Sequence, residues 1–126
     1  EQGLYWLNLA ADKDDPSAQH NLGVVHENGI GVDRDPLHAK EWYERAALQG
    51  HAQSMLRLGI LLSQPGAGAQ NFVLSYVWLR RAGTSKDDLT EDEFRELHKR
   101  LYAVMRSMTS EQIITAQNIT MGAVRR

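Results

Sequence analysis

Apolar residues recur along most of the chain at spacings of three and four, which is the period of one buried helix face. Leu22, Gly23 and His26 share such a face, and a second stripe runs through Ala39, Trp42, Tyr43 and Ala46. No stretch shows the strict alternation typical of a half-buried strand. The pattern therefore predicts an all-α protein.

Helix starts and stops fall where this pattern requires them. Asp15-Pro16 and Asp35-Pro36 each place an N-cap acceptor before a proline suited to the first helical position. Gly29 and Gly31 provide a turn between the two apolar stripes. The segments around these signals are predicted to be two antiparallel helices, A and B.

The pattern repeats. Trp6, Trp42 and Trp78 lie 36 residues apart, and the same offset relates Leu22-Gly23 to Leu58-Gly59. Repeats of this length indicate a solenoid, in which each helix pair buries its apolar face against its neighbours.

Two further helices are predicted after the repeats. Thr90 with Glu93, and Thr109 with Gln112, have the spacing of capping boxes. The first of these helices has an apolar face of five residues at three- and four-residue steps: Phe94, Leu97, Leu101, Val104 and Met108. These helices are expected to cap the solenoid, with the last one stopping near Gly122.

The repeat resembles a known family, the Sel-1-like repeats. The resemblance is carried by Leu22-Gly23, the turn Gly29-Ile30-Gly31-Val32, Trp42-Tyr43, Ala46-Ala47 and Gly50. It implies a right-handed superhelix of antiparallel helix pairs, an α/α solenoid whose A helices form the concave face. The expected organisation is a truncated helix B at 1–11, a repeat at 15–50, a divergent repeat at 51–83 and capping helices at 89–126. The second repeat has Gly66-Ala67-Gly68 where the family has its turn, so this loop is expected to differ.

The chemistry of the chain argues against an enzyme. It has no cysteine, no serine-nucleophile motif and no two histidines at metal-binding helical spacing. No catalytic residue, metal or cofactor is therefore predicted. A net charge of -2 disfavours nucleic acid as a partner, and the short apolar runs disfavour membrane insertion.

The favoured function is a protein-protein interaction module or scaffold that holds a peptide or domain on its concave face. The alternatives are a spacer that positions another domain of a longer chain and, third, a hydrolase-like activity. The chain is expected to be soluble, with the bacterial periplasm and cytoplasm both open; the bacterial origin rests on analogy alone. A preceding helix A would normally cover Leu4, Trp6, Leu7 and Leu9, so self-association through this end is predicted.

The predicted binding residues lie on helix A, opposite its buried stripe. Their positions in the two repeats correspond at a spacing of 36 residues: Ser17, His20, Val24 and Glu27, then Gln53, Leu56, Ile60 and Ser63. His20 and Glu27 are expected to be solvated. For Val24, Leu56 and Ile60, packing against neighbouring A helices is an equally weighted alternative.

Overall fold

The computed structural model describes residues 2–65, 71–85 and 88–124. Seven α-helices make up the described chain, and no strand occurs in it. They are α1 (Gln2–Asp12), α2 (Pro16–Asn28), α3 (Pro36–Leu48), α4 (Ala52–Leu62), α5 (Phe72–Gly83), α6 (Glu91–Arg106) and α7 (Ser110–Val124). The all-α prediction is confirmed. The divergent loop around Gly66 lies outside the described residues.

The helices pack mainly against their neighbours in sequence. The closest pairs are α2 with α3 and α4 with α5, and α1 packs on α2. Helices α6 and α7 both pack on α5. This arrangement of successive helix pairs is an α/α solenoid, as predicted.

Local sequence signals set the helix ends. Asp15, Asp35 and Asn71 are N-caps whose side chains accept hydrogen bonds from backbone N–H groups of the first turn. Thr90 and Glu93 form a reciprocal capping box, and Thr109 and Gln112 make the same pair of bonds. The last helix, α7, ends at Val124, two residues after Gly122.

The three tryptophans show how successive repeats are joined. Trp42 of α3 shares a buried cluster with Ala11 of α1 and with Ala18 and Leu22 of α2, whereas Trp78 shares one with α3 residues such as Ala39 and with leucines of α4. Trp42 and Trp78 are only 8% and 7% exposed, whereas Trp6 is 63% exposed. Each buried tryptophan therefore joins residues of its own repeat to residues of the unit before it.

The N-terminal apolar surface differs from the prediction. Leu4 and Leu7 pack against the cluster around Trp42, and Leu9 is half-buried, whereas the neighbouring Tyr5 and Trp6 are exposed. Two aromatic rings, rather than three leucines, thus form most of the uncovered surface. Self-association through it stays a prediction.

Two helical glycines allow close helix approach inside the repeats. A Cβ at Gly23 would lie 2.5 Å from Cε1 of Tyr43, and one at Gly59 would lie 2.7 Å from Cδ2 of Leu79. A side chain of the partner helix, rather than its backbone, fills most of the space that each glycine leaves.

Candidate partner-binding face

Helices α2 and α4 carry the predicted binding residues, and the structure divides these residues into three groups. Leu56 and Ile60 are each only 3% exposed and belong to the core cluster that includes residues of α5 and α6. Val24 is half-buried against the cluster around Tyr43. The packing alternative is therefore the correct one for the two α4 residues, because α6 lies beside α4 and covers them.

The second group connects α2 to its neighbours. Glu27 accepts a hydrogen bond from the Tyr43 hydroxyl at 2.7 Å and forms an ion pair with Arg57 of α4 at 2.9 Å. Its side chain is only 11% exposed. The expectation that Glu27 is solvated is wrong, since the carboxylate is held between a tyrosine and an arginine.

His20 is also less solvated than expected. Its Nδ1 lies 2.9 Å from the Oγ of Ser54, and its ring lies against the rings of Tyr43 and His51. Burial, together with the charges of His51 and Arg57, lowers the pKa of His20 to about 4. His20 therefore stays neutral near pH 7 and joins helices α2 and α4.

The third group remains at or near the surface. Ser17 is exposed, and its backbone N–H donates to the N-cap Asp15. The half-buried Gln53 donates its side-chain amide hydrogen to the carbonyl of Asp88. Ser63, also half-buried, donates its hydroxyl to the carbonyl of Ile60.

Exposed polar residues that the sequence analysis missed lie beside these positions. Asn21 is exposed on α2, and Arg57, 36 residues later on α4, has a side chain that is 39% exposed. Asn28 and Gln64 have the same spacing and also reach solvent. We call Ser17, Asn21, Asn28, Gln53, Arg57 and Gln64 the polar ladder. The 36-residue period could have identified the four members that were missed, because Asn21, Asn28, Arg57 and Gln64 each lie one position from a predicted residue.

Electrostatic interactions among Tyr43, Glu27 and Arg57 hold these side chains in fixed positions beneath the polar ladder. Burial and the hydrogen bond to Glu27 raise the pKa of the Tyr43 hydroxyl well above its ordinary value, so the hydroxyl keeps its proton. Although burial of Arg57 acts the other way, the Glu27 carboxylate raises its pKa above the ordinary value. The guanidinium group is therefore always charged and is held in place at the surface.

The fold also brings together two pairs of histidines that are far apart in sequence. His20 lies 4.9 Å from His51, and His26 lies 4.1 Å from His38, measured between ring centroids. Helical spacing could not predict these pairs because each joins different elements. Within the described residues, no group of three or more His, Cys, Asp or Glu side chains is arranged to hold a metal ion.

The geometry defines the class of protein as a helical-repeat solenoid. The chain matches the Sel1 repeat over residues 1–15, 16–51 and 52–87. It therefore belongs to the Sel1 repeat family, as the resemblance indicated.

Solved structures support the fold. The chain aligns over 96% of its length with 25% of c5321, a protective antigen of uropathogenic Escherichia coli with an SLR fold, at a TM-score of 0.82 and 24% identity. A Sel1 repeat protein from Oxalobacter formigenes aligns over 82% of this chain and 50% of its own, at a TM-score of 0.64 and 21% identity.

Similar curated proteins come from fungi and mammals. Chitin synthase regulatory factor 3 of Schizosaccharomyces pombe is 45% identical over 58 residues, which cover 46% of this chain and 6% of that protein. DAP3-binding cell death enhancer 1 of Rattus norvegicus is 41% identical over 74 residues, which cover 59% of this chain and 14% of that protein. The chain thus spans only a small part of these relatives. The similarity is not confined to bacteria, and bacterial origin stays a prediction.

In the described residues, no helix combines the length and apolar character needed to cross a bilayer.

Proposed function

We propose that this chain is a non-catalytic adaptor module that binds a segment of a partner protein along the A-helix face of α2 and α4. Its membership of the Sel1 repeat family supports an interaction role. Two similar proteins are named as a regulatory factor and a binding protein, which also supports a role in contacting other proteins.

The polar ladder is the observation that carries this proposal. Its side chains lie in three pairs, each separated by 36 residues along the sequence: Ser17 with Gln53, Asn21 with Arg57, and Asn28 with Gln64. Amide and guanidinium groups offer several donors, and the amides also offer acceptors. Such a surface suits the backbone of an extended peptide, whose N–H and C=O groups need partners once water is removed.

The remaining predicted residues support this surface in different ways. Val24 is the apolar member that partly reaches solvent and is proposed to contact the partner. His20, Glu27 and Ser63 are proposed to act from beneath or beside the ladder. Leu56 and Ile60 form its buried base, so they are proposed to affect binding only through the fold.

A peptide selected from a displayed random library tests the proposal, because it replaces the unknown partner with a defined probe. We expect Asn21→Ala combined with Gln64→Ala to weaken binding of the selected peptide about tenfold or more, since a few residues commonly carry most of the binding energy of an interface. The melting temperature should stay within about 2 °C of the wild-type value, because surface substitutions rarely change stability much.

The matched control is Glu41→Ala combined with Glu44→Ala, at two exposed positions of α3. Equal affinities of the two double variants would place the binding surface elsewhere. If no selected peptide binds in a ladder-dependent way, the spacer role becomes the better description.

A further inference from the structure

The junction between α2 and α4 contains a fully buried serine between two histidines. Ser54 Oγ lies 2.9 Å from Nδ1 of His20 and 2.8 Å from Nδ1 of His51, and the Ser54 residue has no exposed surface. His51 is also the N-cap of α4, because its Nδ1 accepts a hydrogen bond from the backbone N–H of Ser54 at 3.3 Å. We call His20, Ser54 and His51 the histidine relay.

The available donors leave one arrangement of hydrogens that satisfies all three bonds. A backbone N–H can only donate, so the Nδ1 atom of His51 carries no hydrogen. The single hydroxyl hydrogen of Ser54 then points to His51. His20 must carry its hydrogen on Nδ1 and donate it to the Ser54 oxygen.

This arrangement decides what an added proton does. Neutral His51 already carries its hydrogen on Nε2, so a second proton must go to Nδ1, the atom that accepts both bonds. Protonation of His51 therefore removes the acceptor that caps α4 and reverses the bond to Ser54, because Nδ1 can then only donate and the Ser54 hydroxyl hydrogen loses its acceptor. A proton on Nε2 of His20 leaves the relay intact but places a charge on a half-buried ring, 4.9 Å from the His51 ring.

The charged groups around the relay come from several elements. Around His20, the charges of His51 and Arg57 add to the effect of burial, while Glu93 and Glu27 oppose it, and the Tyr43 ring lies 5.4 Å away. Around His51, burial lowers the pKa against the opposing charges of Asp15, Asp88 and Glu93. For both rings, burial outweighs the nearby carboxylates.

We propose that the histidine relay is an acid-sensitive junction, which holds α2 to the start of α4 when both imidazoles are neutral and opens when they gain protons.

Proton linkage gives the direction in which acid changes the stability of the folded chain. Burial lowers the pKa of His20 from the ordinary value of 6.5 to about 4 in the folded chain, so the unfolded or opened state takes up protons first. The stability that the neutral relay contributes is fully present above about pH 6.5 and is lost as the pH falls towards 4.

Thermal unfolding between pH 7.5 and pH 5 tests the proposal. We expect the wild-type melting temperature to fall by about 5 °C or more over this range. The melting temperature of the His20→Asn/His51→Asn double variant should fall by less than half as much over this range. Asparagine does not titrate between these pH values, supplies an amide donor near the Nδ1 position and is a good N-cap. His98→Asn, at an exposed position of α6, is the matched control and should follow the wild type.

The second histidine pair needs its own control, because burial and the charge of His38 also lower the pKa of His26. His26→Asn should leave most of the acid-induced loss in place. A loss that disappears in this variant, but persists in His20→Asn/His51→Asn, would overturn the proposal.

Two measurements on the wild-type protein keep the test decisive if the double variant does not fold. NMR titration should show His20 taking up its proton well below pH 6. Amide hydrogen exchange, expressed as protection factors, should show Ser54 losing protection on acidification before the middle of α3 does. A His20 that titrates near 6.5, or equal loss of protection throughout the chain, would contradict an acid-sensitive junction.

Discussion

The repeats at residues 16–51 and 52–87 place equivalent positions in different chemical surroundings. In the first, the glycine of helix A packs against Tyr43, whose hydroxyl reaches Glu27. In the second, the equivalent glycine packs against Leu79, and the position equivalent to Glu27 is Ser63. In both repeats, the contact between a glycine and a large side chain allows the two helices to pack closely. Whether that large side chain is polar or apolar differs with the residues that surround it.

The neighbouring helices explain this difference. His20 and Glu27 face α4 through Ser54 and Arg57, whereas their equivalents on α4 lie towards α6. Since α6 presents a strongly apolar face, Leu56 and Ile60 can be buried without any polar partner. The same helix face is thus a polar junction in one repeat and part of the core in the next.

Substitution of the buried tryptophans is expected to have the largest effect on stability. Trp42→Ala should lower the free energy of unfolding by about 3 to 5 kcal/mol, because it leaves a cavity against Ala11 and Ala18. Trp78→Ala should cost a similar amount. Chemical denaturation measures both.

The control is Trp6→Ala, at a position where the side chain is 63% exposed. It should cost less than about 1 kcal/mol, in the range of surface substitutions. Equal costs at Trp6 and Trp42 would contradict the view that a buried tryptophan joins its own repeat to the unit before it.

Substitution of the two helical glycines is expected to have an intermediate effect on stability. Gly23→Ala should destabilise the protein by about 2 kcal/mol, because overpacking against the rigid Tyr43 ring exceeds the roughly 1 kcal/mol of helix propensity gained. Gly59→Ala should cost less, since Leu79 can adopt another rotamer more easily than a tyrosine fixed by a hydrogen bond. Denaturant titration of the two variants checks the order, and a larger loss at Gly59 would reverse our explanation of the contrast.

The smallest expected effect on stability comes from removing the Tyr43 hydroxyl, which the second repeat lacks because Leu79 is at the equivalent position. Tyr43→Phe should cost about 1 kcal/mol, because Glu27 keeps its ion pair with Arg57 and loses only one hydrogen bond. Ser75→Ala is the counterpart in the second repeat, where a buried hydroxyl donates to the carbonyl of Gly59. Thermal melts of both variants measure the losses, and a cost above about 3 kcal/mol for Tyr43→Phe would mean that the carboxylate depends mainly on the tyrosine.

The fold was predictable because its signals are local or periodic. The caps at Asp35 and Thr90 and the 36-residue tryptophan period each specify a helix start or a packing position. The apolar face of α6 was predicted for the same reason, and Leu97, Leu101 and Val104 are buried there.

The candidate site was less predictable because it depends on contacts between A helices. The spacing that places His20 opposite the buried stripe cannot reveal that Ser54 lies against it. Likewise, the burial of Ile60 depends on α6, which begins 31 residues later, at Glu91. The residues that share a helix face can be predicted from one segment, but whether that face is exposed depends on the helices that pack against it.

The way the tryptophans pack gives the array a direction. The indole of one unit packs with residues of its own unit and with residues of the unit before it, so the core of each unit is completed by a side chain of the next. Removing units from the C-terminal side would therefore uncover residues of the last remaining unit, such as Ala39 and Tyr43, whereas removal from the N-terminal side would expose the part of an indole that contacted the preceding unit. The two kinds of truncation therefore create different defects, and the two ends of the array are not energetically equivalent.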